Sequence, residues 1–104
     1  MMSVVPKTLE EFKKSLDSDL PVNSWPLALK AMWWDFKNNW EKSHDIAQEL
    51  NTEMGSWIHG YLHRKEGDRF NANYWYGRIG KPYPSESLQE EQDRLVKTIL
   101  GDYA

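Results

Sequence analysis

The chain has 104 residues, with 13 Lys and Arg against 16 Asp and Glu for a net charge of -3, and no cysteine. That length makes one domain, able to bury roughly two-thirds of its unfolded surface without metal or disulfide, and the missing thiols exclude disulfide scaffolds, thiolate zinc sites, iron–sulfur clusters and a Cys nucleophile. The acidic balance, whose densest basic groups are only Lys13–Lys14 and Arg64–Lys65, gives no electrostatic basis for binding nucleic acid or an anionic membrane.

Residues 1–7 are read as disordered. Thr8 followed by Glu11 has capping-box spacing, and Leu9, Phe12 and Leu16 share a face, so residues 8–18 are predicted to form a short amphipathic cap helix that Pro21 follows. Ser24 is placed to cap a second helix with Pro26 in its first turn, and Leu27 to Phe36 is apolar nearly all round, the mark of a largely buried helix. Asn38 with Glu41 offers a third start, and Trp40, Ile46, Ala47 and Leu50 give that helix its apolar side. Thr52 caps a fourth helix over 53–66, where Trp57, Ile58, Tyr61 and Leu62 occupy one sector and His59 and His63 fall outside it. Gly67 suits the left-handed residue that ends a helix, and Asp68 caps a fifth carrying Phe70, Ala72, Tyr74, Trp75, Tyr76 and Ile79. The run Gly80-Lys81-Pro82-Tyr83-Pro84 is a loop. Ser87 with Glu90 is a second capping box, and Leu88, Leu95, Val96, Ile99 and Leu100 give the face of a final cap helix over 87–100.

No stretch alternates as a strand would, so the chain is read as all-α: five or six helices in antiparallel hairpins over 24–51 and 52–80, with a cap helix at each end. A 29-residue offset superposes the two hairpins, placing Ala31 on Gly60, Ser43 on Ala72 and Ala47 on Tyr76, with small residues where two backbones approach closely. Gly60, Ala72, Tyr76 and Pro84 also sit at the small, small, aromatic and proline spacing of a tetratricopeptide repeat. That resemblance is partial, because the family's early Trp position holds Ser56 and its later Ala position holds Ile79. It implies a degenerate array of helix pairs. The string from Trp57 to Tyr76, Trp-Ile-His-Gly-Tyr-Leu-His-Arg-Lys-Glu-Gly-Asp-Arg-Phe-Asn-Ala-Asn-Tyr-Trp-Tyr, is similar to the signature of a family of small helical bacterial proteins with fungal relatives. The likeness extends over roughly residues 33–84, including Trp33, Trp34 and His44-Asp45. It implies a fold and no reaction, so no catalytic role transfers with it.

Two constellations bear on function. His59 and His63 stand i, i+4 on one helix, a spacing able to chelate one metal ion if His44, Asp45, Glu66 or Asp68 supplied a further ligand. Position 60 is Gly, so the pattern departs from HExxH and lacks its general base. The simpler expectation is two histidines at a helix seam, each bonded to its own acceptor, with no metal and no cofactor. The run Arg64 to Arg69 is expected as a solvated rim with Arg64 or Arg69 paired to Glu66 or Asp68. Six Trp and five Tyr exceed what one small core needs, which predicts a second aromatic surface, formed by Trp34, Trp57, His59, Tyr61, His63, Arg64, Tyr74, Trp75 and Tyr76, as a groove for a ligand or partner.

The leading expectation is a non-catalytic interaction module that binds another protein or a small ligand, with a homodimer through the aromatic face as a further possibility and neither nucleic acid nor membrane as partner. The alternative is a small metal-dependent or acid–base enzyme centred on His59 and His63, with His44 and Glu66 as further candidates. A third is a subunit whose aromatic face is an obligate interface. The start of the chain lacks an export signal, and no apolar run approaches the ~20 residues of a membrane span, which leads to the expectation of a cytoplasmic address.

Overall fold

The computed structural model describes residues 5–102. The chain runs α1 (Leu9–Lys14), a single 3-10 turn (Ser15–Asp17), α2 (Leu27–Phe36), α3 (Trp40–Glu49), α4 (Glu53–Lys65), α5 (Arg69–Arg78) and α6 (Leu88–Gly101), with no strand among the described residues. No helix among them is long and apolar enough to cross a membrane. Residues 1–4 of the segment read as disordered lie outside the described part. Val5 packs against the core, and the Lys7 backbone N–H donates to Glu11.

Most helix starts follow from their caps. Thr8, Thr52, Asp68 and Ser87 each accept a backbone N–H of the first turn, and Ser87 and Glu90 form the full reciprocal box. Two expected caps are corrected. Pro26 itself is the residue before α2 and no side chain caps it, because the N–H of Trp25 already turns back to the Val22 carbonyl and holds the preceding segment in a turn of its own. The start of α3 is capped by Asn39, whose side chain accepts from Lys42, while Asn38 takes φ +62° to make the reversal from α2. Asparagine is among the few side chains that tolerate that region.

Helix α4 is the centre of the molecule: α3 and α5 pack on it, and α2 and α6 lie against it as well. Its residues from Gly55 to Leu62 are all buried. The core gathers Phe12, Leu29, Met32, Trp33, Ile58, Leu62, Leu95, Val96 and Ile99 around it. At the α2–α3 crossing the Ser43 hydroxyl donates to the Ala31 carbonyl at 2.7 Å, a contact that only small residues allow. At the α4–α5 crossing a Cβ on Gly60 would lie 3.2 Å from two carbons of the Tyr76 ring, so the bare backbone at 60 makes room for that tyrosine.

Two acids lie inside this core. Asp35 on α2, 1% exposed, accepts from the Tyr61 hydroxyl (2.7 Å), the Lys65 ammonium (2.8 Å) and the Gln92 amide (2.8 Å). Glu91 on α6 is wholly buried. Its Oε2 accepts from Trp57 Nε1 (3.0 Å) and the Tyr76 hydroxyl (2.7 Å), and its Oε1 from Arg64 (2.8 Å). A buried carboxylate is tolerable only with its oxygens occupied by donors and its charge opposed, and both acids meet that requirement.

Candidate functional site

The sector of α4 opposite those acids carries His59 and His63, and α3 brings His44 up to them. One ring nitrogen from each of the three lies within 4.8 Å of the others, and His44 Nε2 and His59 Nε2 are 2.8 Å apart, so one must carry the proton and the other accept it. Each ring is held by a further group. His59, 5% exposed, lies flat on Trp75 with centroids 3.9 Å apart and planes 8° from parallel. The His44 ring stacks on Trp40 (4.7 Å, 11°), and Trp40 is itself fixed by donating from Nε1 to the Leu62 carbonyl at 2.8 Å. His63 runs parallel to His59 (5.1 Å, 15°), as i, i+4 side chains do, and its Nδ1 meets Glu66 Oε2 at 2.8 Å.

Burial lowers the His59 pKa to about 4, with the neighbouring His44 and His63 adding to the effect. His44 is lowered too, by burial and then by His63, against the opposing pull of Asp45 and Glu66. Both imidazoles are therefore neutral at pH 7, one donating and the other accepting the proton between them.

The expected second aromatic surface divides between core and solvent. Trp57, Tyr61 and Tyr76 are buried and line no open groove on the histidine side. Their polar tips belong to Glu91 and Asp35, and burial together with those carboxylates pushes the Tyr61 and Tyr76 hydroxyls far above the usual phenol range. Arg64 is also turned away from the rim: it pairs with Glu91 rather than Glu66 or Asp68 and donates to the Glu86 carbonyl, because a buried carboxylate offers a guanidinium more than an exposed one. Trp34 stands edge-on to Trp33 under the Lys42 ammonium. That leaves His59, His63 and Trp75, joined by Tyr74 edge-on to Trp75 at 5.2 Å, as the members that meet. Of the acids considered near the histidines, Glu66 is in contact with His63, while Asp68 is occupied in capping Asn71 through both carboxylate oxygens.

Trp40, Asp35, Glu91 and Gln92 anchor the site or the core without any motif that marks them in the sequence. Asp35 could have been noticed as the one acid in the apolar run Leu27 to Phe36. Glu91 and Gln92 stand where the spacing Leu88, Leu95, Val96 omits a step of the buried face. Compared with known proteins, the chain matches no family model, no curated protein and no solved structure.

Proposed function

We propose that this chain is a non-catalytic helical interaction module, acting in the cytoplasm, that receives a protein partner on the face shared by α3, α4 and α5. The carrying observation is the exposed aromatic line on α5. Phe70 is 84% and Tyr74 54% exposed, they stand i, i+4 on one side of the helix, and Tyr74 continues through Trp75 onto His59, His44 and Trp40 as an unbroken series of ring contacts. Helix α5 buries only Ala72 and Tyr76, so Phe70 and Tyr74 lie outside the core. Aromatic rings that water would otherwise cover are the usual anchors of a protein interface.

The packing supports a tetratricopeptide-like reading in which α2 with α3 and α4 with α5 are two degenerate units. The small-residue crossing at Ala31/Ser43 and the bare backbone of Gly60 beneath Tyr76 favour it, while α6 packs on both α2 and α4 and touches α1, so the two flanking helices meet each other instead of standing at opposite ends of the two units. Membership in the small helical family suggested by the Trp57–Tyr76 string is part of the same proposal and assigns no reaction. An acid–base enzyme is the second reading, favoured by the His63–Glu66 contact, which would fix an imidazole tautomer.

The test is Phe70→Glu with Tyr74→Glu in the full chain, immobilised beside the unaltered chain in extract of the source cells. The module reading expects equal melting temperatures and a partner retained by the unaltered chain alone. The same retained proteins on both would refute it, and a chain that self-associates and is made monomeric by the double change would make the partner a second copy.

A further inference from the structure

The histidine cluster, independently of the docking reading, carries a second inference. We infer that His44, His59 and His63 form a binding site for one divalent transition-metal ion of the zinc class, held by three imidazoles with its remaining position open.

Four observations lead there. The three rings come from two helices, so the cluster is produced by tertiary packing and not by a chance run of sequence. Their nitrogens already lie within 4.8 Å of one another, against about 3.4 Å between ligand atoms of a tetrahedral ion with bonds near 2.1 Å. The His44–His59 separation of 2.8 Å must open by about half an ångström to admit the ion, a small ring rotation for the half-exposed His44. The outer nitrogen of His63 is engaged by Glu66, the carboxylate–imidazole arrangement that fixes a tautomer and directs Nε2 toward a metal.

The alternative explanation of a helix-seam histidine is that each ring meets its own carbonyl or carboxylate. His44 and His59 instead meet each other, and two adjacent neutral imidazoles satisfy one another with a single proton while a cation satisfies both lone pairs. Three nitrogen ligands without thiolate suit Zn²⁺, Co²⁺, Ni²⁺ or Cu²⁺ better than Mg²⁺ or Ca²⁺, which prefer oxygen. A competing set, His63 with Glu66 and Asp68, is also close enough. It is disfavoured because Asp68 already bonds the backbone and side chain of Asn71, and binding would withdraw the cap of α5.

The stacked tryptophans give the site a rigid floor. Trp75 stacks on one face of His59 and Trp40 on one face of His44, while a nitrogen of each ring stays within the cluster. Three protein ligands leave at least one position for water or an added anion.

The experiment is calorimetric titration of the chelator-treated full chain with ZnCl2, and with CoCl2 followed by visible absorption. One equivalent should bind with a dissociation constant of about 1 µM or lower, and Co²⁺ should give the intense d–d bands of a four- or five-coordinate nitrogen site. His44→Gln, with circular dichroism checking that the fold is unchanged, should weaken Zn²⁺ by at least tenfold and abolish the Co²⁺ spectrum, and His63→Gln should do the same. No saturable binding of either ion would overturn the inference. Binding unchanged by His44→Gln would also overturn it, locating the ion at His63, Glu66 and Asp68 instead. Neither result touches partner retention by Phe70 and Tyr74, which are not ligands.

Discussion

Replacing Glu91 by Gln changes the volume of the side chain hardly at all and removes its charge, which isolates the electrostatic part of the core. The carboxylate now accepts from Trp57, Tyr76 and Arg64, with no exposure to water. A carboxamide has one oxygen and one NH2. Whichever way it turns, its NH2 meets either the Arg64 guanidinium or Trp57 Nε1, neither of which can accept, and a donor faces a donor in a dry site. Removing one partner of a buried ion pair costs about 3–5 kcal/mol. The lower end applies, because Arg64 also donates to the Glu86 carbonyl and keeps some access to water. An unfolding entropy of about 0.2 kcal/mol/K for a domain of this size converts a loss of about 3 kcal/mol into a fall in melting temperature of about 15 °C. Tyr76→Phe, which deletes one of three hydrogen bonds to the charged group and leaves the ion pair, should cost about 1.5–3 kcal/mol and so rank below it. Thermal melts by circular dichroism, with urea midpoints at unchanged m, measure both. A Glu91→Gln protein melting within about 3 °C of the parent, or above Tyr76→Phe, would show that the carboxylate charge is not what holds α6 to α4.

Two further perturbations test other parts of the packing. Gly60→Ala should destabilise by about 1 kcal/mol net, since the added Cβ lies 3.2 Å from a Tyr76 ring that its bond to Glu91 keeps from retreating, and this outweighs the gain of about 1 kcal/mol in helix propensity. Gly77→Ala, with nothing within 4 Å of its Cβ, should show that gain alone and melt higher. In metal-free protein, His59 takes up its proton near pH 4 when folded and near 6.5 when unfolded. The unfolded chain therefore binds more protons between those values, and stability is full above about pH 6.5 and falls as the pH drops toward 4, by up to about 3 kcal/mol from this group. Urea midpoints at pH 7.5 and 4.5 should show a fall that His59→Gln reduces, and an equal fall in both proteins would refute the assignment.

The helices were legible where local signals decide them. Thr52, Asp68, Gly67 and the Ser87–Glu90 box marked α4, α5 and α6 because caps act within one turn of chain. Ser24 and Asn38 misled because a turn residue and a cap residue look alike in sequence, and the choice between them was made by the Trp25–Val22 turn and the left-handed Asn38. The histidine pair on α4 was visible as i, i+4 spacing, and the arrival of His44 was not, since it depends on how α3 lies against α4. Aromatic residues were sorted least well. Tyr61 and Tyr76 share their residue type with Tyr74, and what separates them is a buried acid on a distant helix, Asp35 in one case and Glu91 in the other.

Those acids also bear on the site. Trp57, Tyr61, Arg64 and Lys65 stand at i, i+4, i+7 and i+8 of α4, on one side of it, and each donates to Asp35 or Glu91. His59 and His63 occupy the other side. A helix packed by apolar contacts alone can slide or rotate by small amounts at little cost, because those contacts are non-directional. Four directional bonds to two carboxylates, one on α2 and one on α6, fix both the rotation and the height of α4. His59 on its far side is thereby placed against His44 at hydrogen-bond distance, with His63 beside them, and a metal or a docking partner would require placement of that kind. The polar core and the histidine face are in this sense one construction, with α4 as the part common to both.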